Sequence, residues 1–233
     1  IRYEKIEGAR QEEAAQADGA GISLSDMAAA EDAQPAAQSA DTWPKTFTVT
    51  LGGDTTLGST DDLRKREDCF ENVAADKGYG WFFSGLQTLF ATDDLTLVNF
   101  EGTLTEETSK KEKLYNFKGP AEYTDILTLG SVEAVNIANN HHGDYGTAGE
   151  ESTRQALIDA GMPFSGYGYT YVWEKNGHKI GFAGCRETTY KNDEFVIARD
   201  INRLREQGCD VIVYSCHWGT EYDDKHNALQ QEM

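Results

Sequence analysis

The sequence has few basic residues. Lys and Arg together number 21 against 40 Asp and Glu, so the formal net charge is −19 at neutral pH. Proteins bind nucleic acids and anionic membrane surfaces mainly through clustered basic side chains. The composition therefore predicts no nucleic-acid partner, and an anionic ligand would need a cation to mediate its binding.

Long apolar runs and paired cysteine motifs are also missing. No run approaches the roughly 18 apolar residues that a membrane-spanning helix needs. The four cysteines have no Cys-x-x-Cys spacing, which excludes zinc-ribbon and thioredoxin-type motifs. Cys185 and Cys216 both end apolar segments and are expected side by side, as buried reduced thiols or, alternatively, as a disulfide.

Aromatic residues are scarce at the N-terminus. Residues 1–41 contain twelve Ala, four Gln and nine acidic residues, with Tyr3 as the one aromatic residue. Such a composition buries too little apolar surface to order itself. Residues 1–42 are therefore predicted to be a flexible Ala- and Glu-rich tether, followed by a folded domain over residues 43–233.

The folded part alternates strand and helix patterns. Apolar segments predict strands over residues 47–51, 95–100, 132–138, 171–173, 179–183 and 211–214. Helices are predicted over 81–90, from Pro120 to Leu129, over 148–160 behind a Thr147–Glu150 capping box, and around 197–207. Asn176-Gly177 predicts a tight hairpin between two of the strands. The alternation indicates an α/β fold with a mostly parallel central sheet and one antiparallel hairpin.

Ligand-type side chains follow four of these strands. They are Asp54, Glu101, the pair Asn140-His141, and His217. The carboxyl ends of parallel strands meet at one edge of a sheet, so these residues are expected to converge. Two carboxylates, an amide oxygen and an imidazole form a donor set that suits Mn²⁺, Zn²⁺ or Fe²⁺.

Four blocks of sequence resemble a known family. They are Gly53-Asp54-Thr55-Thr56-Leu57-Gly58, Asn99-Phe100-Glu101, the segment from Asn139 to Gly146, and His217-Trp218-Gly219-Thr220-Glu221-Tyr222. The chain is similar to bacterial capsule-synthesis proteins of the CapA/PgsA type, linked to poly-γ-glutamate, which look like relatives of the calcineurin-like metallophosphoesterases. The resemblance implies a metallophosphoesterase-like layered α/β sandwich. The late Gly-His-x-His segment of those enzymes would lie beyond Met233, so we expect a domain that is incomplete at its C-terminus.

The resemblance also implies roles for individual residues. Asp54 would bind one metal ion, Glu101 would bridge two, and Asn140 and His217 would hold the second. His141 would act as a proton donor to the substrate, with Asp144 orienting it.

Two functions follow from these roles. One is a cell-surface metal-dependent hydrolase acting on an anionic polymer or a phosphate ester in capsule biosynthesis. The other is a non-catalytic component of a capsule synthesis or export complex with other membrane proteins, favoured by Thr56 where the enzymes carry His. Because the chain begins at Ile1, a preceding membrane anchor is expected.

Overall fold

The structure, a computed structural model, describes residues 46–232. The predicted tether lies outside the described residues. The strands in this range are β1 (Val49–Thr55), β2 (Leu95–Phe100), β3 (Thr103–Leu104), β4 (Lys118–Gly119), β5 (Ala134–Asn136), β6 (Phe164–Ser165), β7 (Tyr171–Lys175), β8 (His178–Arg186) and β9 (Val211–His217). The helices are α1 (Phe70–Lys77), α2 (Gln87–Phe90), α3 (Thr124–Leu129), α4 (Gly146–Asp159), α5 (Glu187–Asn192), α6 (Val196–Glu206) and α7 (Ala228–Glu232).

The strands form two main sheets. One has the order β1-β2-β5-β6 and is entirely parallel, and the other has the order β7-β8-β9, with β7 antiparallel and β9 parallel to β8. Strands β3 and β4 form a separate parallel pair. The α/β class and the mostly parallel strands are confirmed. The mostly parallel central sheet is the one formed by β1, β2, β5 and β6, and β8 and β9 pair with each other in a second sheet beside it.

Side-chain alternation along β2 explains the layering. Leu95 and Leu97 pack in a cluster with Ile180 and Phe182 of the second sheet, whereas Val98 and Phe100 belong to a cluster that also contains side chains of α3 and α4. Successive residues of a strand point to opposite faces, so one face of β2 meets helices and the other meets a sheet. Asn99 falls on the face between the sheets, which is decisive for the site.

The predicted hairpin is confirmed. Strands β7 and β8 pair from Tyr171–Phe182 to Lys175–His178. At the turn Asn176 has φ 54° and Gly177 has φ 80°, the two positive values of a type I′ turn. Asn and Gly tolerate this conformation at low cost, so the local sequence alone defines the turn.

The start of the domain differs from the prediction. Gly52-Gly53 was expected to end the first strand before Asp54, yet β1 continues to Thr55. The pairing of β1 with β2 shifts between Leu51 and Asp54, so the glycines form a bulge within the strand. The bulge keeps Asp54 in the strand and sets the side to which it points.

Three helix predictions also need correction. The segment 81–90 contains only a 3-10 turn at Tyr79–Trp81 and the single turn of α2. Pro120 is extended and precedes a 3-10 turn, so it is not the first residue of α3. Helix α4 begins at Gly146 with no side-chain cap, so the Thr147–Glu150 capping box does not form, because the preceding turn already starts the helix. No helix in residues 46–232 is long and apolar enough to cross a membrane.

Candidate active site between two sheets

A cavity of 590 Å³ opens where the carboxyl ends of both main sheets meet. All four predicted metal-binding residues line it, from four strands or the loops that follow them. The lining includes Asp54, Glu101, Asn140, Arg186, His217 and Trp218. His217 comes from the second sheet, so the site forms between two sheets. The sequence had predicted a site along the rim of a single sheet.

Strand register explains why side chains of the two sheets meet. Asp54 is paired with Asn99 in the first sheet, and Arg186 is paired with His217 in the second. Partners in parallel strands point to the same face. His217 shares its face of β9 with Val213, which packs against the cluster between the sheets, so both pairs reach the cavity from the inner faces.

Asn99 connects the strands behind the cavity. Its Nδ2 donates to Asp54 Oδ1 at 2.7 Å and lies 3.3 Å from His217 Nδ1. Its Oδ1 accepts from Asn136 Nδ2 at 3.3 Å and from Asn139 Nδ2 at 3.1 Å. No role was predicted for Asn99 from the sequence. An amide near the end of an otherwise mainly apolar buried strand was the available signal.

Asn139 shapes the loop that presents Asn140. Its Oδ1 accepts from the backbone N–H groups of His141 at 3.0 Å and His142 at 2.9 Å. Its Nδ2 donates to the carbonyl oxygen of Phe100 at 2.7 Å, which attaches the loop to β2. An Asn side chain that accepts from the next residues' N–H groups makes a compact turn. Asn140 is thereby held at the cavity wall.

A buried relay of His141 and Asp144, with Lys113 at its exposed end, lies next to Glu101. The Nδ1 atom of His141 lies 2.9 Å from Asp144 Oδ2, and Nε2 lies 3.7 Å from Glu101 Oε1. Lys113 Nζ lies 2.5 Å from Asp144 Oδ1 in an ion pair outside hydrogen-bond geometry. We assign the Nδ1 proton of His141 to the bond with Asp144, which leaves Nε2 facing Glu101.

This relay changes the expected placement of the proton donor. His141 and Asp144 are not among the residues that line the 590 Å³ cavity, and His141 reaches it through Glu101. Lys113 was missed in the sequence because it lies 31 positions before Asp144, in a lysine-rich segment that resembles ordinary surface. It neutralises a carboxylate whose side chain is 0% exposed.

The electrostatics of the cavity are strongly perturbed. Burial, together with a hydrogen bond to Asp54 and the charge of Asp54, raises the pKa of Glu101 to about 8. Burial lowers the pKa of His217, although the charge of Asp54 opposes this effect. Two carboxyl groups that share a hydrogen bond share a proton, and a cation between them would replace it.

The donor chemistry fits a divalent transition metal. Asn140 Oδ1 is buried and has no hydrogen-bond partner among the residues that the structure describes, as expected for an oxygen reserved for a ligand. Carboxylate, amide and imidazole donors match Mn²⁺, Zn²⁺ or Fe²⁺. In the protein alone, however, residues 46–232 contain no group of three or more His, Cys, Asp or Glu side chains arranged to hold an ion.

The fold and cavity define a layered α/β domain with carboxylate, amide and imidazole groups gathered where two sheets meet. The sequence model of the family described as Bacterial capsule synthesis protein PGA_cap matches residues 48–233. The chain belongs to this family.

Two curated relatives carry similar descriptions. The chain is 26% identical over 185 residues to the PGA biosynthesis protein CapA of Bacillus subtilis (strain 168), covering 70% of the chain and 49% of that protein. It is 22% identical over 214 residues to the Capsule biosynthesis protein CapA of Bacillus anthracis, covering 80% and 50%. The chain thus spans about half the length of these relatives.

Two solved structures show low similarity to this chain. A hypothetical protein from Thermus thermophilus has a TM-score of 0.40 and 17% identity, over 74% of this chain and 58% of that one. The Haemophilus influenzae NAD nucleotidase (NadN) has a TM-score of 0.41 and 14% identity, over 67% and 34%.

Proposed function

We propose that this chain carries a metal-dependent hydrolase site that acts in capsule biosynthesis at the cell surface, on an anionic polymer or a phosphate ester. The meeting of Asp54, Glu101, Asn140 and His217 at one cavity supports this proposal most strongly, together with the Asn140 oxygen that has no hydrogen-bond partner within residues 46–232. Family membership supports the biological process. An N-terminal anchor would hold the protein at the membrane, and other membrane components of a capsule complex would be its partners.

The metal-binding roles follow from the donors. Asp54 and Glu101 would hold one ion or a pair, with Asn140 and His217 completing the set, and the preferred ion would be Mn²⁺, Zn²⁺ or Fe²⁺. When bound, a divalent ion supplies Lewis acidity and draws in an anionic oxygen. Asn140 adds a neutral donor, so it leaves more net positive charge for the substrate.

The remaining residues orient, attract and move a proton. Asn99 holds the Asp54 carboxylate in place through its 2.7 Å hydrogen bond. Asp144 holds His141 Nδ1, so Nε2 is the end of the ring that can pass a proton towards the cavity. Lys113 Nζ lies 2.5 Å from the other oxygen of Asp144, so it balances the charge of the carboxylate that positions His141. Arg186 lines the cavity and would attract an anionic substrate.

Metal binding and hydrolysis test the proposal together. Purified protein is stripped on a chelating resin, titrated with Mn²⁺, and assayed with a chromogenic phosphodiester. Glu101→Gln is expected to weaken Mn²⁺ binding by about tenfold or more, because it removes a charged ligand. His141→Gln is expected to retain the metal and lower turnover by about 100-fold or more.

Glu122→Gln is the matched control, because Glu122 is exposed and outside the cavity. It should change neither measurement. Metal binding and turnover that are the same in Glu101→Gln as in Glu122→Gln would reject the proposed site.

A non-catalytic component of a capsule synthesis or export complex is the second candidate. It is supported by Thr56, which stands where metallophosphoesterases carry a metal-binding His. Under this hypothesis any metal is structural or absent, the protein does not hydrolyse the phosphodiester, and His141→Gln alters neither hydrolysis nor assembly. The hydrolysis assay with His141→Gln therefore separates the two candidates.

A further inference from the structure

A second cavity lies beside the candidate active site. Its volume is 370 Å³, and it shares Arg186 and Thr188 with the first cavity. We call it the basic cavity and define it by Lys111, His142, Glu150, Arg154, Tyr167 and Arg186. The size suits a small polar ligand or one unit of a longer chain.

His142 is the most unusual group in the basic cavity. The residue is 2% exposed, and neither ring nitrogen has a hydrogen-bond partner among the described residues. The ring stacks on Tyr167 with 5.3 Å between centroids, so its position is fixed. Burying polar atoms without partners is costly, so native proteins nearly always satisfy them. A ligand with a hydrogen-bonding group would supply the missing partner.

The charges around His142 define the kind of ligand. Lys111, Arg154 and Arg186 form no ion pair within the part of the chain that the structure describes, and Glu150 is the one carboxylate of the basic cavity. In a chain of net charge −19, a cavity with three such cations stands apart. Clustered cations with low-dielectric walls concentrate anions locally.

The cations are held by contacts that leave their charge available. The guanidinium of Arg154 lies over the ring of Tyr169, 5.9 Å from its centroid. The backbone N–H of Lys111 donates to the carbonyl oxygen of Asp144 at 2.8 Å, which attaches its segment to the loop that carries His142. Such preorganised donors bind carboxylate or phosphate oxygens well.

We infer that the basic cavity is a binding subsite for an anionic group, a carboxylate or a phosphate, with an adjoining N–H or O–H that reaches His142. The cations take the anionic oxygens, and the imidazole takes the neutral polar group. The assignment does not depend on metal binding in the first cavity. Because both cavities share Arg186, a ligand anchored here extends towards the candidate active site.

Calorimetric titration of metal-stripped protein tests the subsite. The probes are inorganic phosphate and glutarate at low ionic strength, with glutaramide as the uncharged control. Saturable binding of one or both anions is expected, weakening as salt is added. The tighter of the two identifies the preferred anion. If neither anion shows saturable binding, or if glutaramide binds equally well, the inference is overturned.

Variants locate the binding. Arg154→Gln should weaken anion binding by about tenfold, because it removes one charge-assisted contact. Arg205→Gln is the matched control, since Arg205 is exposed on α6 away from this cavity, and it should leave binding unchanged. Equal effects of the two variants would mean that the anion binds elsewhere.

The role of the imidazole needs its own variant. His142→Phe keeps a ring that can stack on Tyr167 and removes both nitrogens. Because an O–H or oxygen of phosphate would contact these nitrogens, the variant should weaken phosphate binding by about fivefold or more. The ring ¹⁵N signals of His142 should shift on titration of the wild type. Unchanged affinity and unchanged signals would refute the contact. Mn²⁺ binding measured on the same samples shows separately whether the first cavity holds metal.

Discussion

Replacing Asp144 by Asn removes one negative charge from the buried relay while keeping its shape. Asp144 Oδ2 accepts from the backbone N–H of Phe117 at 2.8 Å and lies 2.9 Å from His141 Nδ1. The other oxygen lies 2.5 Å from Lys113 Nζ. An Asn oxygen in the Oδ2 position can keep both of these hydrogen bonds, but its NH2 group would face Lys113 and cannot balance the lysine charge.

The cost follows from the burial of the ion pair. Breaking a fully buried pair by removing one partner costs about 3–5 kcal/mol of unfolding free energy. The side chain of Asp144 is 0% exposed, whereas that of Lys113 is 28% exposed and retains part of its hydration. We therefore expect Asp144→Asn to lower the free energy of unfolding by about 2–3 kcal/mol.

Urea denaturation followed by circular dichroism measures this difference. Asp125→Asn is the matched control, because Asp125 is exposed on α3, and its cost should stay within about 0.5 kcal/mol. The double variant Asp144→Asn with Lys113→Met should recover part of the loss, since no unpaired ammonium remains. A loss for Asp144→Asn no larger than that of the control would refute the buried relay.

Three further predictions concern the core of the domain. Burial lowers the pKa of His142 from 6.5 to about 3. Between these pH values the unfolded chain binds a proton that the folded chain does not, so the stability present above pH 6.5 is lost as the pH falls. His142→Phe should reduce this loss of unfolding free energy between pH 7 and pH 4 by about 3 kcal/mol, measured by urea denaturation at each pH. In Gly58→Ala the new Cβ would lie 2.2 Å from a backbone carbonyl oxygen of β4, at a residue whose φ is 140°, so a loss of about 3 kcal/mol or more in unfolding free energy is expected. In the control Gly53→Ala the new Cβ meets nothing within 4 Å, and the loss should stay within about 0.5 kcal/mol. Equal melting temperatures of the two variants would contradict this prediction. Asn99→Leu should lower the free energy of unfolding by about 2–3 kcal/mol, because several buried polar groups lose their hydrogen-bond partner. The control Asn202→Leu, at an exposed position, should lower it by less than about 0.5 kcal/mol. A calorimetric scan that shows no difference between the two variants would refute the hydrogen-bond network around Asn99.

Local signals predicted some elements well. The Asn176-Gly177 hairpin is confirmed, because the two turn residues tolerate positive φ and need no distant contact. The strand ending at His217 was expected from an apolar run and a following glycine. The prediction from Gly52-Gly53 was wrong, because the conformation of this pair depends on distant contacts. A glycine pair marks a turn or a bulge equally well, and only pairing with β2 decides which.

Some residues of the candidate site could be identified from the sequence, and others could not. Asp54, Glu101, Asn140 and His217 could be selected from sequence, since each follows or ends an apolar segment, and the structure places all four at one cavity. Their metal-binding roles, and the catalytic roles of His141 and Asp144, stay predictions. Asn99 and Lys113 were missed, because their partners lie on other strands or loops and no local pattern identifies them.

The sequence by itself determined the α/β class, the tight hairpin and which residue types stand near strand ends, because these depend on periodicity and on local backbone preferences. Only the tertiary structure decided that the strands divide into two sheets and that the cavity opens between them. It also decided that Asn99 joins both sheets, and that His142 lies among cations with no ion-pair partner in the described part of the chain. These features depend on side chains far apart in the chain packing face to face, and such contacts leave no periodic trace in the sequence.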